Sequence, residues 1–406
     1  MDELIRLSAA DFDEAIDFMN MVFSMDGGGI DFPRLLPKLY QPDDHLMRCN
    51  YAIRRQGRIR AVVGSFPMVL QVGSHKLMVA GIGGVSTHPR ERTGGLMRRL
   101  MEQALTDMRQ EGVCLSILGG QRQRYGYYGY EVAGTEIRFS ISPHNLKHAL
   151  AGQKLPAITL KRLAASPLSR PLAGSEDDSW RQKAWETIRQ WHQAQPVRVH
   201  RGQSMQQIML SWGCDVFLAE NEQHEPVGCF AVTDKGQVNE LLTASPDYIL
   251  PVAAAWIREY DKAIEWVCLP WQTDLITQLA QIAERWRQVP TCNLQVLDWP
   301  PVIEAFLQYV ANTRQLKDGR LCIELSDLGI QLVWSLQNGT ARCGQHPAGR
   351  EKPQLAMTSA LLIRLAFGPL PPHFTLPDAG SLPQDVQQLL RDWLPLPMAW
   401  PIQDNV

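Results

Sequence analysis

The sequence lacks the marks of several protein classes. None of its apolar runs approaches the roughly 18 residues that a membrane-spanning helix needs. The start, Met1-Asp2-Glu3-Leu4-Ile5-Arg6, has neither the basic beginning nor the apolar stretch of a signal peptide. These absences predict a soluble, cytoplasmic protein without a membrane span.

Neither sign of charge predominates. The formal net charge is −2, and Lys and Arg are spread along the chain. A nucleic-acid partner is therefore not expected, because neutralising phosphates requires a concentrated positive surface.

The sequence also contains no paired cysteines. Its eight cysteines are scattered singly without a C-x-x-C pair, so we interpret them as reduced, mostly buried thiols. No metal site is expected.

Two nucleotide-binding signatures are missing as well. No G-x-x-x-x-G-K-[ST] motif occurs, and the run Gly81-x-Gly83-Gly84 lacks the third glycine of a dinucleotide fingerprint. A nucleoside triphosphate site and a dinucleotide-binding fold are therefore improbable.

The length and the order of patterns predict an α/β (α+β) fold with several domains. A chain of 406 residues is too long for one ordinary core. We divide it into residues 1–150, 151–296 and 297–406. The strand and helix pattern at 216–260 resembles that at 51–111, which predicts a degenerate internal duplication, with chance similarity of α/β patterns as the alternative. We also expect a single strand over 130–141 and a single helix over 354–367.

One stretch carries a clear chemical signal. The run Val85-Ser86-Thr87-His88-Pro89-Arg90-Glu91-Arg92-Thr93-Gly94-Gly95-Leu96-Met97 leads from a predicted strand through a turn into the strongest helix of the chain. The start of a helix exposes unpaired N–H groups at the positive end of its dipole, and adjacent glycines let a phosphate approach closely. The pattern therefore predicts an anion site. The alternative is a surface turn that merely needs glycines.

A tyrosine-rich run follows the next predicted strand. In Tyr125-Gly126-Tyr127-Tyr128-Gly129-Tyr130, a tyrosine could act as a general acid, because a phenol with a pKa near 10 is protonated at neutral pH. The run resembles the Y-x-x-x-G-[FY] segment that GNAT folds place beside a thioester sulfur, and this resemblance selects Tyr125. Tyr127 and Tyr128 are interpreted as ordinary core or turn residues.

Together the two runs resemble the GNAT acetyltransferases, and more closely those of the enhanced-intracellular-survival (Eis) type. The spacing Pro89-x-x-Arg92-x-x-Gly95-x-Met97 is similar to the acetyl-CoA signature R/Q-x-x-G-x-G/A, from which Met97 departs. The resemblance implies two tandem GNAT folds, the second without the signature, and a C-terminal α+β domain resembling sterol carrier protein 2. It also implies a homo-oligomer, whether a hexamer, a trimer or a dimer.

The resemblance also implies functions for individual residues. Acetyl-CoA would be held by Val85, Ser86, Thr87, Arg92, Thr93, Gly94, Gly95, Leu96, Met97, Arg98, Gly120 and Gln121. Some relatives have a serine in place of Gly120. A carboxylate at the chain terminus acts as the general base in this family, which here selects Val406, the last residue of the sequence.

The implied reaction is direct attack of a primary amine on the thioester, without an acetylated cysteine. Holding the reactants together would supply most of the rate, so Cys114 is interpreted as a core residue. Since the acceptor is cationic before it loses a proton, carboxylates should line its pocket, and Asp26 and Asp31 are the weakly supported choices. Aminoglycoside-, polyamine- or lysine-like acceptors are suggested by the resemblance alone.

A competing interpretation is a non-catalytic carrier or sensor of CoA or lipid. In that case apolar faces at 330–336 and 361–367 would hold a lipid, although a packed core explains them more simply.

Overall fold

The computed structural model describes residues 2–25, 27–170 and 178–406. Over these ranges the chain forms three β-sheets with helices packed against them, which confirms the predicted α+β class. Within the same ranges, none of the helices is both long and apolar enough to cross a membrane.

The strands are numbered along the chain. They are β1 (Asp2–Arg6), β2 (Asn50–Arg55), β3 (Arg58–Val72), β4 (His75–Thr87), β5 (Leu115–Leu118), β6 (Glu131–Ala133), β7 (Glu136–Ile141), β8 (Thr159–Ala164), β9 (Val197–Val199), β10 (Cys214–Glu220), β11 (Pro226–Thr233), β12 (Gln237–Thr243), β13 (Ile264–Cys268), β14 (Arg285–Val289), β15 (Cys292–Val296), β16 (Gly319–Leu325), β17 (Ile330–Gln337), β18 (Thr340–Pro347) and β19 (Leu355–Met357).

The helices are numbered in the same way. They are α1 (Phe12–Ser24), α2 (Phe32–Leu35), α3 (Asp44–Met47), α4 (Leu96–Gln110), α5 (Arg122–Gly126), α6 (Pro143–Ala149), α7 (Asp178–Gln193), α8 (Met205–Met209), α9 (Ile249–Tyr260), α10 (Thr273–Ile282), α11 (Trp299–Thr313), α12 (Ser359–Phe367), α13 (Pro372–Thr375) and α14 (Gln384–Trp393).

The first two sheets have matching strand orders. The first runs β1-β2-β3-β4-β5-β15-β6, with β9 also paired to β3, and the second runs β14-β7-β13-β12-β11-β10-β8. In each, an antiparallel meander is followed by a helix and a strand parallel to the meander's last strand, β5 beside β4 and β13 beside β12. The third sheet runs β18-β17-β16-β19.

Each of the first two sheets contains a strand from the other region. Strand β15 lies between β5 and β6, where Asn293 is paired with Leu118. Strand β7 lies between β13 and β14, where Phe139 is paired with Trp266. The two sheets thus exchange strands across residue 150. The division of the chain into domains at 150 and 296 stays a prediction.

The expectation of one strand over 130–141 was wrong. Strands β6 and β7 are separated at Gly134 and Thr135 and join different sheets. Gly134 has a φ of +78°, and the Thr135 amide donates to the Met398 carbonyl at 2.8 Å. An alternating pattern shows that a segment is extended but not which sheet it joins.

The expectation of one helix over 354–367 was also wrong. Its first part is β19, parallel to β16, and α12 begins only after Thr358, whose side chain accepts from the Leu361 amide. The threonine therefore acts as an N-cap and ends the strand.

Two helices cover opposite faces of the first sheet at its centre. Helix α4 packs through Leu100, Met101 and Ala104 in one buried cluster, and α1 packs through Ala15 and Met19 in another. We call these the α4 face and the α1 face.

Because β15 completes the first sheet, residues 1–150 alone should not form a stable domain. A chain ending at residue 150 would leave the facing edges of β5 and β6 without their shared neighbour. We expect it to lack a cooperative thermal transition and to bind a hydrophobic dye, both measurable beside the full chain. A cooperative transition in the short chain would contradict this prediction.

Candidate active site

The central feature of the first sheet is the separation of two parallel strands. Strands β4 and β5 are paired from Val79 with Leu115 to Ile82 with Leu118, where β5 ends. Strand β4 continues to Thr87, paired only with β3 on its other side. Gly84, with a φ of +60°, lies at the irregularity in that pairing. Beyond Ile82, the edge of β4 that faced β5 therefore carries backbone groups without a strand partner.

Three predicted cofactor-binding residues lie on this free edge. Val85 and Thr87 are half-buried, and Ser86 is buried with its hydroxyl donating to the Gly84 carbonyl at 3.0 Å. An extended ligand could therefore pair with their backbone as an added strand would.

The turn after β4 presents further free amides. Gly95 adopts the left-handed conformation, with a φ of +70°, and caps α4. The first helical bond runs from the Arg99 amide to the Gly95 carbonyl at 3.1 Å, so the amides of Leu96, Met97 and Arg98 have no intrahelical acceptor. A Cβ added at Gly95 would meet no atom within 4 Å, which shows open space in front of the turn.

The side chains around the turn divide into two groups. Leu96 is buried and Met97 packs against the α4-face cluster, so each offers only its backbone to a ligand. Arg92, Thr93, Gly94 and Arg98 are exposed. The turn therefore combines main-chain donors with solvent-exposed positive charge, a combination suited to a diphosphate.

Tyr125 lies on α5, the short helix that follows β5. Its side chain is buried, with 6% of its surface exposed. A Cβ added at Gly120 would lie 2.9 Å from its Cε2 atom, and Gly120 has a φ of +127°. Glycine at position 120 thus makes room for the ring, which explains why a serine does not fit here. Gln121 is exposed and is the N-cap of α5, and its carbonyl accepts a hydrogen bond from the Tyr125 amide at 3.3 Å.

Burial raises the pKa of Tyr125 above its ordinary value of 10.0. The hydroxyl is therefore protonated at neutral pH and can donate a proton. By contrast, Tyr127 is 91% exposed and Tyr128 half-buried.

The last residue of the chain lies against β4. A Cβ added at Gly83 would lie 2.8 Å from the carboxyl carbon of Val406, and one at Gly81 would lie 2.6 Å from its Cγ2 atom. The two glycines thus provide the space in which Val406 lies. Gly83 directly follows Ile82, the last residue of β4 that pairs with β5.

Val406 and Tyr125 lie on opposite faces of the sheet. Val406 packs with the α1-face cluster, and Tyr125 belongs to the α4-face cluster. This agrees with the alternation of β4, in which Ala80 and Ile82 point to the α4 face while Gly81 and Gly83 point to Val406. A group placed between the separating strands would have a carboxylate on one side and a phenol on the other.

The structure describes one of the two predicted acceptor carboxylates. Asp31 caps α2, its carboxylate accepting from the Arg34 amide at 3.2 Å. Asp26 lies outside the described residues.

An aromatic wall that was not predicted from the sequence lies on the α1 face. Ring centroids lie 4.9 Å apart for Phe23 and Phe32, 5.1 Å for Phe32 and Tyr40, and 5.9 Å for Tyr40 and Phe66. The Tyr40 hydroxyl is buried without a hydrogen-bond partner in the described residues, 2.6 Å from where a Cβ of Gly84 would lie. No spacing in the sequence connects these residues, because they come from α1, α2, β3 and the loop after α2.

The cysteines do not contribute a nucleophile to this arrangement. All eight are free. The Cys114 thiol donates to the Met78 carbonyl at 3.1 Å, and burial raises its pKa to about 12. It is therefore protonated at neutral pH, as a core thiol would be.

Comparison with known proteins identifies the first region. Residues 3–133 match the family model described as "Acetyltransferase (GNAT) domain". The chain is an acyltransferase with a GNAT acetyltransferase domain. The matched residues contain the separation of β4 and β5, the glycine turn and Tyr125, whereas Val406 lies far outside them.

Solved structures share the fold over the whole length. A GCN5-related N-acetyltransferase from Kribbella flavida is 18% identical, with a TM-score of 0.65 and 98% of each chain covered. Eis1 from Mycobacterium abscessus is 15% identical, with a TM-score of 0.64 and 100% of each chain covered. A probable N-acyltransferase from Enterococcus faecalis V583 is 14% identical, with a TM-score of 0.66 and coverage of 98% of this chain and 97% of that one. At these identities the likeness concerns the fold alone, and no curated protein matches the chain.

If the turn before α4 binds a diphosphate, Arg92→Ala should weaken binding of CoA. A charge-assisted hydrogen bond contributes about 1.5–3 kcal/mol, so we expect a Kd about 10- to 100-fold higher by calorimetry. Arg109→Ala is the matched control, since Arg109 lies in the last turn of the same helix. Equal affinities in all three proteins would exclude Arg92 from the site.

Proposed function

We propose that this acyltransferase transfers acetyl from acetyl-CoA to a primary amine, with Tyr125 as general acid and the α-carboxylate of Val406 as general base. The observation that carries the proposal is the position of these two groups on opposite faces of the sheet where β4 and β5 separate. General acids and bases need such placement on either side of the reacting centre.

The residues present fit acetyl-CoA, which supplies an activated acetyl thioester. The free edge of Val85 to Thr87 accommodates the pantetheine arm. The amides of Leu96, Met97 and Arg98 accommodate the diphosphate together with Arg92, whereas the Gly94 amide already donates to the Glu91 carbonyl at 2.9 Å. Gly120 and Gln121 lie at the end of β5, next to Tyr125. Open space in front of Gly95 supports a close phosphate approach.

The two proton transfers follow from the two faces. On the α1 face, the Val406 carboxylate accepts the proton that the amine loses as its nitrogen forms the bond to the acetyl carbon. On the α4 face, Tyr125 donates its proton to the sulfur as the carbon–sulfur bond breaks and sulfur keeps the electron pair. Solvent then returns a proton to Tyr125 and takes up the proton held by Val406, so both groups regain their starting states. No cysteine takes part, which agrees with the buried, protonated state of Cys114.

The acceptor would reach the base from the α1 face. Aromatic side chains and the unpartnered Tyr40 hydroxyl lie there. An aromatic wall with a carboxylate suits an amine that is cationic before it loses a proton. Aminoglycoside-, polyamine- and lysine-like amines all meet this description. Any negative charge that Asp31 adds to the acceptor pocket would come from its position at the start of α2.

The carrier interpretation has less support. The apolar residues it requires, including Leu332, Trp334, Ile363 and Phe367, are at most 1% exposed and pack in one core. They are accounted for by packing. The likeness of residues 297–406 to sterol carrier protein 2, the homo-oligomer and the cytoplasmic location stay predictions.

The proposed reaction predicts amine-dependent release of free CoA. We expect incubation with acetyl-CoA and a panel of aminoglycosides, polyamines and lysine peptides to release thiol with at least one acceptor, with one acetyl added to the amine by mass spectrometry. Thiol release independent of every amine, with lipid copurifying with the protein, would favour the carrier instead.

Tyr125→Phe should lower kcat about 100-fold or more while the Kd of acetyl-CoA stays near that of the wild type, because only the proton is lost. Tyr127→Phe is the matched control, since Tyr127 is 91% exposed. Because burial raises the pKa of Tyr125 above 10.0, wild-type turnover should not lose this acid below about pH 10. Equal turnover of the Tyr125→Phe and wild-type proteins would remove Tyr125 from the mechanism.

A further inference from the structure

The C-terminal segment is buried, although chain ends usually fray. Residues Ile402–Asp404 form a short 3-10 turn, in which Gln403 is 1% and Asp404 3% exposed. Burying a carboxylate is costly unless it is paired and hydrogen-bonded. The segment must therefore have specific partners.

The partner of Asp404 is Arg201, which comes from the second region between β9 and α8. The Arg201 Nε donates to Asp404 Oδ1 at 2.9 Å and its Nη2 to Oδ2 at 2.8 Å. Its Nη1 donates to Glu240 Oε2 on β12 at 2.8 Å. Both side chains of the Arg201–Asp404 pair are at most 2% exposed. The guanidinium thus connects the tail to the second sheet in a fixed, two-pronged geometry.

The neighbouring residue of the tail is held by polar contacts. The Gln403 side-chain amide donates to the carbonyls of Ile208 and Met209 at 3.1 and 2.7 Å and accepts from Asn239 Nδ2 at 2.9 Å. From the first region, the Lys38 ammonium donates to the Gln403 carbonyl. The tail is therefore attached to both regions at once.

The charges in this cluster support a permanent ion pair. Burial alone would raise the pKa of Asp404, but the Arg201 guanidinium, together with the neighbouring Lys38 and His192, holds that pKa below its usual value. Burial lowers the pKa of Lys38 to about 7 and that of His192 to about 3. At neutral pH, Arg201 is thus fully charged opposite Asp404, whereas Lys38 is only partly protonated and His192 is neutral.

Only two residues separate Asp404 from the end of the chain. Two residues span at most about 7 Å, so fixing Asp404 restricts where the Val406 carboxylate can lie. Its position beside Gly83 leaves little freedom, because Val406 fills the space above Gly81 and Gly83. A displacement of about 1 Å in a reacting group can cost about 100-fold in rate.

We propose that Arg201 is a positioning residue for the transfer reaction: through its two-pronged contact with Asp404 it holds the Val406 carboxylate beside Gly83, at the separation of β4 and β5. This inference rests on the proposed role of that carboxylate as general base. It gives the second region a function in the reaction, namely holding the segment that completes the first region's site.

The test uses Asp404→Asn, which keeps the side-chain shape but removes the charge, and Arg201→Lys, which keeps the charge but removes the two-pronged geometry. We expect kcat to fall about 100-fold in the first and less in the second, with the KM for acetyl-CoA unchanged, because neither residue lies at the glycine turn. A purely structural loss would not separate kcat from KM in this way. Since Glu240 still pairs with Arg201 in the Asp404→Asn protein, folding should persist, and a thermal melt checks it.

Two matched proteins make the outcome decisive. Glu265→Gln removes a half-buried carboxylate that pairs with Arg138 and Arg287 on the second sheet and, within the described residues, has no ion pair with the tail, so it should leave kcat unchanged. A full-length chain ending in a Val406 carboxamide, prepared from an intein thioester, removes only the proposed base and should be at least as slow as the Asp404→Asn protein.

The possible results separate the two ideas. Wild-type turnover in the carboxamide protein would refute the general base and, with it, the basis of this inference. A slow carboxamide with wild-type turnover in both the Asp404→Asn and Arg201→Lys proteins would overturn the positioning role alone. An equal loss in the Glu265→Gln control would also overturn it, since general destabilisation would then explain the effect.

Discussion

The parallel pairing of β4 and β5 stops at Ile82 and Leu118, and the candidate site depends on this interruption. Had the strands stayed paired, the backbone of Val85 to Thr87 would be satisfied within the sheet and no gap would connect its two faces. The bulge at Gly84 and the left-handed turn at Gly95 turn the rest of β4 and the start of α4 towards that gap. Unsatisfied backbone donors then become binding groups.

The gap also separates two kinds of chemistry. A sheet places successive side chains on opposite faces, so a phenol on one face and a carboxylate on the other can act on the same reacting centre without meeting. Burial keeps Tyr125 protonated. A phenol and a carboxylate in direct contact would hydrogen-bond to each other instead of to the reactants, and the sheet prevents this contact.

The molecule completes this arrangement with residues far along the chain. Strand β15 fills the first sheet, and its Asn293 side chain donates to the Gly120 carbonyl at 3.2 Å, next to Tyr125. The tail lies with Val406 beside Gly83, and its Asp404 contacts Arg201 while its Gln403 contacts Lys38. The exchange of β7 and β15 makes the first two regions one packing unit, in which a change in the second can alter the site of the first.

The sequence alone determined what local forces decide. The turn and helix at 93–110 were predictable because glycines, helix propensity and an apolar stripe act within a few residues, and the α+β class followed from the same patterns. Only tertiary structure decided which sheet received β7, that 355–357 joined β16 as a strand, that Tyr40 packed against Phe32, and that Arg201 paired with Asp404. Those outcomes depend on burial and pairing between residues up to hundreds of positions apart, and a linear pattern does not record which buried partner a side chain will find.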